Sequence, residues 1–316
     1  MQSEQLGRSN LRVSPLCFGG NVFGWTVDAE RSFALLDAWL DAGFNFVDTA
    51  DVYSIWAPGH VGGESERIIG QWLRRSGRRD RVVLATKVGK PMGPDRRGLK
   101  ATYIRKAVED SLERLQTDYI DLYQSHDDDL ETPLEESLSA FDTLHREGKI
   151  RAIGASNYTA ARLATALKVS ADNHLIRYES LQPLYNLHDR MAFEAELGPL
   201  CVKEGLGVIN FYTLAAGFLT GKYRTPADAD KSVRGKNTVT KYLNERGLRI
   251  LQALDQVALG TGHSPAAIAT AWLMAKPSVT APIVSATSLE QMEVLFQAAR
   301  LQLDANSMDI LDAASA

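Results

Sequence analysis

The 316-residue sequence predicts an α/β fold closed as a (β/α)8 barrel, and three observations carry that reading. Short apolar runs of strand length alternate with amphipathic helical stretches eight times, which favours a closed barrel over an open doubly wound sheet. Three successive runs end abruptly in titratable residues, Asp48, Lys87 and His126. The first core run ends in Gly19-Gly20, not in the Gly-x-Gly-x-x-Gly turn usual in an open nucleotide-binding sheet.

Residues 4–15 read as a strand pair, turning at Gly7-Arg8-Ser9-Asn10 with Leu6, Leu11 and Val13 beside the turn. Leu16 to Gly19 is the first core strand. From Asp28 a helical stripe follows (Phe33, Leu36, Trp39, Leu40), closed by Gly43. Phe44, Phe46 and Val47 form the next strand and Asp48 ends it. A helix on Ile68, Ile69, Trp72 and Leu73 begins near Glu64, behind Gly62-Gly63, which reads as a helix entrance. Strand 82–87 precedes a helix with Ile104, Val108, Leu112 and Leu115 on one face. Strand 119–125 precedes another with Leu134, Leu138, Phe141 and Leu144. Thr132-Pro133 opens that helix, Glu135 and Glu136 favour its first turn, and Gly148 ends it.

The rhythm continues through strand 150–154, helix 159–168, strand 178–182, helix 192–204 and strand 206–209. Residues 222–244 then interrupt it. This stretch is long, polar and basic, and reads as either a mobile lid or a surface loop. Helices on Leu248, Leu251, Leu254 and Val257 and over 266–273 follow, then strand 279–284 and a helix from Leu289. No repeat beyond the strand–helix unit and no linker is visible, so residues 1–316 read as one domain.

A hydrophobic content of 45% with 23% charged residues suits a soluble chain with a sizeable core. A net charge of −4 gives no electrostatic reason to expect nucleic acid or an anionic membrane as partner. No apolar run approaches the ~18 residues of a membrane span. Met1 to Gln5 is neither basic nor apolar, so no secretory leader is expected. Cys17 and Cys201 lack metal-ligand spacing and read as reduced thiols, which makes the cytoplasm the expected location.

The functional face of such a barrel is the C-terminal end of its strands, where Asp48, Tyr53, Lys87 and His126 fall together. That set suits protonation of a carbonyl oxygen. The Lys87 ammonium would bring the Tyr53 pKa down, Asp48 would hold the lysine, and a His126 N–H would orient the carbonyl. Singly, each has a structural explanation: a Lys–Asp ion pair, or a histidine on a loop. A lysine at a strand end could instead form a Schiff base, which makes a Lys87 lyase the second reading. Asp127-Asp128-Asp129 could attract a hard cation. Three adjacent side chains do not converge easily on one ion, however, and a solvated loop is expected with no metal site. Phe23, Trp25, Ile55 and Trp56 either line a substrate pocket or pack beneath loops.

The stretches Asp48-Thr-Ala-Asp-Val-Tyr53, Ala85-Thr-Lys87-Val-Gly, Asp121-Leu-Tyr-Gln-Ser-His126 and Ile153-Gly-Ala-Ser-Asn157 resemble the aldo-keto reductase superfamily. The likeness runs from Leu6-Gly-Arg-Ser-Asn-Leu-Arg-Val-Ser-Pro15 to Ser285-Ala-Thr-Ser288. It implies a TIM-type barrel with an N-terminal β-hairpin across its bottom, reducing small-molecule aldehydes or ketones with NADP(H). Tyr53 would be the general acid, Lys87 and Asp48 its tuning pair, and His126 the substrate-orienting histidine. Ser156, Asn157 and Gln182 would hold the nicotinamide carboxamide, and Phe211 would stack on the ring, with Tyr212 beside it. Leu214, Gly217, Leu219 and Lys222 match a pyrophosphate loop, with Gly217 and Leu219 offering backbone N–H groups. Ser285, Ala286, Thr287, Ser288 and Gln291 match the segment around the adenosine phosphate. Ser285 and Gln291 stand where relatives are often basic, and Val294 and Leu295 replace residues that often contact adenine, so NAD is not excluded. Phe23, Trp25, Trp56 and His126 are the expected substrate contacts. Some relatives serve mainly as regulatory subunits of channels, and a non-catalytic barrel is the third reading.

Overall fold

The computed structural model describes residues 3–316; Met1 and Gln2, part of the stretch read for a leader, lie outside the described residues. Strands β1 (Glu4–Gln5) and β2 (Arg12–Val13) pair antiparallel as the hairpin. Gly7 takes φ 59° in its turn, against the Glu179 carbonyl where a Cβ has no room. Eight parallel strands follow: β3 (Cys17–Gly19), β4 (Phe46–Asp48), β5 (Val83–Val88), β6 (Ile120–Ser125), β7 (Ile150–Ser156), β8 (Tyr178–Gln182), β9 (Gly207–Val208) and β10 (Ile283–Val284). They lie in the order β10-β3-β4-β5-β6-β7-β8-β9. The two ends of that order meet. Thr280 and Ala281 donate N–H bonds to the Val208 carbonyl and Ile283 donates to Asn210, which closes the barrel.

Strand alternation sorts the interior into layers, because successive side chains point to opposite faces. Cys17, Phe46, Ala85, Leu122 and Ala152 form an apolar layer, sealed by Leu6, Leu11 and Val13 of the hairpin. Two residues further along four of these strands stand Gly19, Asp48, Lys87 and Gln124, where the pairing sets Gly19 beside Asp48 and Lys87 beside Gln124. The barrel is thus dry at the hairpin end and polar at the other. Outward residues such as Phe18, Val47, Leu84, Tyr123 and Ile153 pack into the main core beneath the helices.

The surrounding helices are α1 (Ala29–Asp41), α2 (Glu64–Ser76), α3 (Ala101–Leu115), α4 (Leu134–Arg146) and α5 (Ala160–Asp172), then α6 (Gly198–Glu204), α7 (Gly235–Tyr242), α8 (Glu245–Thr261), α9 (Pro265–Met274), α10 (Leu289–Ala298) and α11 (Ala305–Ser315). Asp28, Thr159, Asn244, Ser264, Ser288 and Asp304 cap α1, α5, α8, α9, α10 and α11 through their side chains. Among the described residues, no helix is long and apolar enough to cross a membrane.

Four expectations change. Residues 222–244 are not an irregular loop: Thr225 and Asp228 form a capping box opening a 3-10 turn at Pro226–Lys231, and α7 follows. The helix expected over 192–204 begins as a π-turn at Phe193–Leu197 before α6, because Pro199 has no N–H for the regular ladder. The last strand shrinks to Ile283–Val284, its upstream amides being used for closure. Helix α11 was not expected. Asp304 caps it, and Leu311 is buried, so both a start signal and an apolar anchor were present in the sequence.

Phe46 is wholly buried where the apolar layer meets the polar one. Phe46→Ala should therefore cost about 3–5 kcal/mol, read from urea denaturation with an unchanged slope.

Candidate active site

The polar end of the barrel is organised by one ammonium. Lys87, fully buried, donates to Asp48 Oδ2 at 2.5 Å, to the Thr49 carbonyl at 2.8 Å and to Tyr53 Oη at 2.9 Å. The other Asp48 oxygen accepts from Gln124 Nε2 at 2.9 Å and Gln182 Nε2 at 3.2 Å, and Gln182 also donates to Gln124 Oε1 at 3.0 Å. The carboxylate is held from both sides. Beyond Asp48, Thr49 and Asp51 donate backbone N–H groups to the Ala85 and Lys87 carbonyls, which carries the β4–β5 pairing out to the loop bearing Tyr53. Ser54, at φ 68°, turns the chain there and ties its hydroxyl to the Phe23 carbonyl at 2.9 Å.

The protonation states follow from burial and neighbours. Burial pushes the Tyr53 phenol above its ordinary value of 10.0, with Lys87 pulling it down and Asp48 pushing it up. The expected net lowering by Lys87 is therefore not what the site gives: desolvation of the phenolate wins. Burial works against the Lys87 ammonium, but Asp48 and Tyr53 outweigh it and its pKa rises. His126 is held well below 6.5 by burial and then by Lys87 and Lys90, so its imidazole is neutral at pH 7. Its Nδ1 is buried without a hydrogen-bond partner among the described residues. The His126 ring meets Tyr53 edge-on at 5.9 Å.

An aromatic series leads from this centre to solvent. Trp56 packs 5.9 Å from Tyr53, Trp25 packs 5.6 Å from Trp56, and the Arg234 guanidinium lies 4.9 Å from the Trp25 ring. Trp25 is half-buried and Trp56 exposed, so both line the mouth. Phe23 does not. It is wholly buried and stacks on Phe18, so it belongs to the core.

The residues expected around a cofactor form an arc over the ends of β7 to β10. Ser156 donates to the Gln182 carbonyl at 2.9 Å, and Asn157, exposed and at φ 58°, donates to the His126 carbonyl at 2.9 Å. Phe211 is half-buried beside exposed Tyr212, the ring centres 5.4 Å apart. Ala215, Ala216 and Gly217 all take positive φ, which makes a tight turn. Two details differ from expectation: the Gly217 and Leu219 N–H groups are both donated to the Leu214 carbonyl and are not free for a phosphate. At the start of α10, Gln291 Oε1 accepts from the Thr287 N–H at 2.9 Å, Ser288 caps the helix, and Ala286 is buried. Ser285 Oγ lies 2.8 Å from the Gly19 carbonyl. Leu295 is buried in the core, while Val294 is half-buried.

Gln124 and Arg234 were missed. Gln124 carries a signal in retrospect, since it stands two residues before His126 and shares its strand face. Arg234 carries none, because its stretch shows no apolar period. Asp127, Asp128 and Asp129 are drawn apart: Lys90 pairs with Asp127, Arg162 with Asp128, and Asp129 accepts from the Leu99 and Glu131 amides.

Residues 15–316 match the sequence profile described as the aldo/keto reductase family. The chain belongs to that family. This aldo/keto reductase is 38% identical to the uncharacterized oxidoreductase YrpG of Bacillus subtilis, over 99% of its own length and 95% of that protein's. It is 37% identical to a probable voltage-gated potassium channel subunit beta of Oryza sativa, over 92% and 89% of the two chains. It is 33% identical to norsolorinic acid reductase stcV of Emericella nidulans, over 90% and 74%.

Because burial disfavours the charged imidazole, the His126 ring proton signal in NMR should titrate below 6.5. The folded state resists protonation that the unfolded chain accepts. Stability relative to His126→Gln should therefore fall as pH drops below about 6.5, read from paired thermal melts.

Proposed function

We propose that the protein reduces a small-molecule aldehyde or ketone to the alcohol with NADPH. The observation that carries this reading is the Lys87 ammonium shared between Asp48 at 2.5 Å and the Tyr53 hydroxyl at 2.9 Å. When bound, NADPH would supply hydride to the carbonyl carbon. Tyr53 supplies the proton. Burial keeps the phenol protonated at neutral pH, and the phenolate left after transfer forms beside Lys87, whose charge stabilises it. Asp48 keeps Lys87 in place, while Gln124 and Gln182 keep Asp48 from turning away. A neutral His126 has one ring N–H to donate to the substrate oxygen. Trp25 and Trp56 give the substrate an apolar wall.

The donor set fits a dinucleotide. Asn157 Oδ1 and Gln182 Oε1 are left as acceptors for the N–H groups of a carboxamide, with the Phe211 face nearby. Lys222 and Arg234 have no carboxylate within ion-pair reach among the described residues, and uncompensated cations suit a diphosphate. The positive end of the α10 dipole, beside the 285–288 segment, suits one further phosphate, which favours NADPH over NADH. Both cysteines are free, which suits the cytoplasm.

Two rival readings are weaker. A Schiff-base lysine must lose its proton, yet Asp48 and Tyr53 hold Lys87 charged. A channel-associated role, suggested by the name of the rice relative, does not require the proton-transfer rim that this chain retains.

Tyr53→Phe should lower kcat for carbonyl reduction by about 10²-fold or more while leaving NADPH binding, followed by fluorescence, within about twofold. Near-normal turnover would sink the assignment. Lys87→Met should lose turnover similarly, and borohydride with a carbonyl substrate should leave no adduct on Lys87 of the unaltered protein. In direct titration NADPH should bind more tightly than NADH; the reverse order would overturn the cofactor preference.

A further inference from the structure

On the outer side of the sheet, behind the rim, lies a buried polar compartment that the reaction does not use. Glu66 of α2 enters it with both oxygens satisfied, by the Thr86 hydroxyl at 2.6 Å and Arg114 Nε at 2.7 Å. Arg114 in turn donates to the Ser111 hydroxyl at 3.1 Å. Asp51 enters it with nothing. Its side chain is 1% exposed, and neither oxygen has a hydrogen-bond partner among the described residues. The Tyr123 hydroxyl, also buried, is likewise unpartnered. A carboxylate without donors is among the costliest groups to bury, whereas a neutral acid is far less so.

The groups facing Asp51 do not rescue its charge. Burial and the Glu66 carboxylate push its pKa well above 3.8, against Arg114, the Val52 amide and Arg96; the amide eases the charge without forming a hydrogen bond of ordinary geometry. Tyr103 of α3 and Tyr123 of β6 complete the surroundings and bring no positive charge. Arg114 is already committed to Glu66.

The location gives this acid a consequence. The 48–53 segment is fixed on its inner side by Lys87, through Asp48, the Thr49 carbonyl and Tyr53. On its outer side the Thr49 hydroxyl bonds the Ser65 hydroxyl at 2.8 Å, and the Asp51 side chain is packed out of water. Asp51 stands two residues before Tyr53, its own N–H donated to the Lys87 carbonyl. A carboxylate drawn toward water would take the Tyr53 turn with it.

We propose that Asp51 is a positioning residue kept as the neutral acid, and that its proton holds the 49–53 turn so that the Tyr53 hydroxyl stays on Lys87. The positioning part rests on the reading of Tyr53 as general acid; the protonation part does not. The folded chain keeps a proton that the unfolded chain releases above about 3.8. The unaltered protein should therefore lose stability relative to Asp51→Asn as pH rises from that value to the folded one.

Three measurements on the full chain decide it. In thermal melts between about pH 4 and pH 9, the advantage of Asp51→Asn over the unaltered protein should grow with pH. A constant or shrinking difference would overturn the neutral acid. Independently of any variant's folding, the infrared spectrum of the unaltered protein at neutral pH should contain a protonated-carboxyl C=O band that fades on alkalinisation. Its absence overturns the proposal too. Where Asp51→Asn folds, that band should be missing. Third, Asp51→Asn should keep kcat within about threefold, while Asp51→Ala should lower kcat about tenfold or more with NADPH affinity unchanged. Wild-type kcat in Asp51→Ala would remove the positioning role. If the unaltered protein reduced no carbonyl at all, the reductase reading would fall, and the first two measurements would still judge the proton on Asp51.

Discussion

A buried ammonium is the constraint on which the rest of the rim depends. Lys87 has no access to water, so its charge must be met by protein groups, and three are: a carboxylate, a carbonyl and a phenol. Burying such a charge is tolerable only when it is paired and hydrogen-bonded. The pairing fixes Asp48 and Tyr53 at once, and Asp48 then orders Gln124 and Gln182. Removing any member leaves another buried polar group without its partner. The site is stiff for electrostatic reasons as well as for packing reasons.

The barrel makes that arrangement possible by separating two environments along one set of strands. The hairpin and the apolar layer above it shut water out of one end. The next inward layer can then be polar without opening the core, because its groups satisfy one another. Desolvation has the expected signatures there: Tyr53 is raised and His126 is lowered, both toward their neutral forms. A neutral phenol beside a fixed ammonium is a proton donor whose conjugate base has its counter-ion already in place.

The segment 222–244 belongs to this design as much as the strands do. Its capping box and α7 give it regular structure, and Asp189 secures it by accepting from Lys241 at 3.2 Å and Tyr242 at 2.8 Å. Arg246 ties the start of α8 to the His188 carbonyl and to the chain's last residues. Arg234 is thereby carried to the mouth and laid on Trp25. A cation fixed by secondary structure beside aromatic side chains is better placed to meet an anion than one on a free loop.

The sequence by itself determined the βα alternation, the hairpin, most helix starts and the clustering of Asp48, Tyr53, Lys87 and His126 at strand ends. These are local matters of period, capping and strand length, and they need no knowledge of neighbours. Tertiary structure alone decided the rest. Phe23 and Leu295 became core residues because elements distant in sequence cover them. The Gly217 and Leu219 amides were consumed by one carbonyl, since the turn closes on itself. The direction of the Tyr53 pKa depended on how completely the barrel and its loops exclude water. Asp51 shows the same division most sharply: its letter reads as a polar loop residue, and only the packing of α2, α3 and β6 around it leaves it buried and unpartnered, two residues before Tyr53.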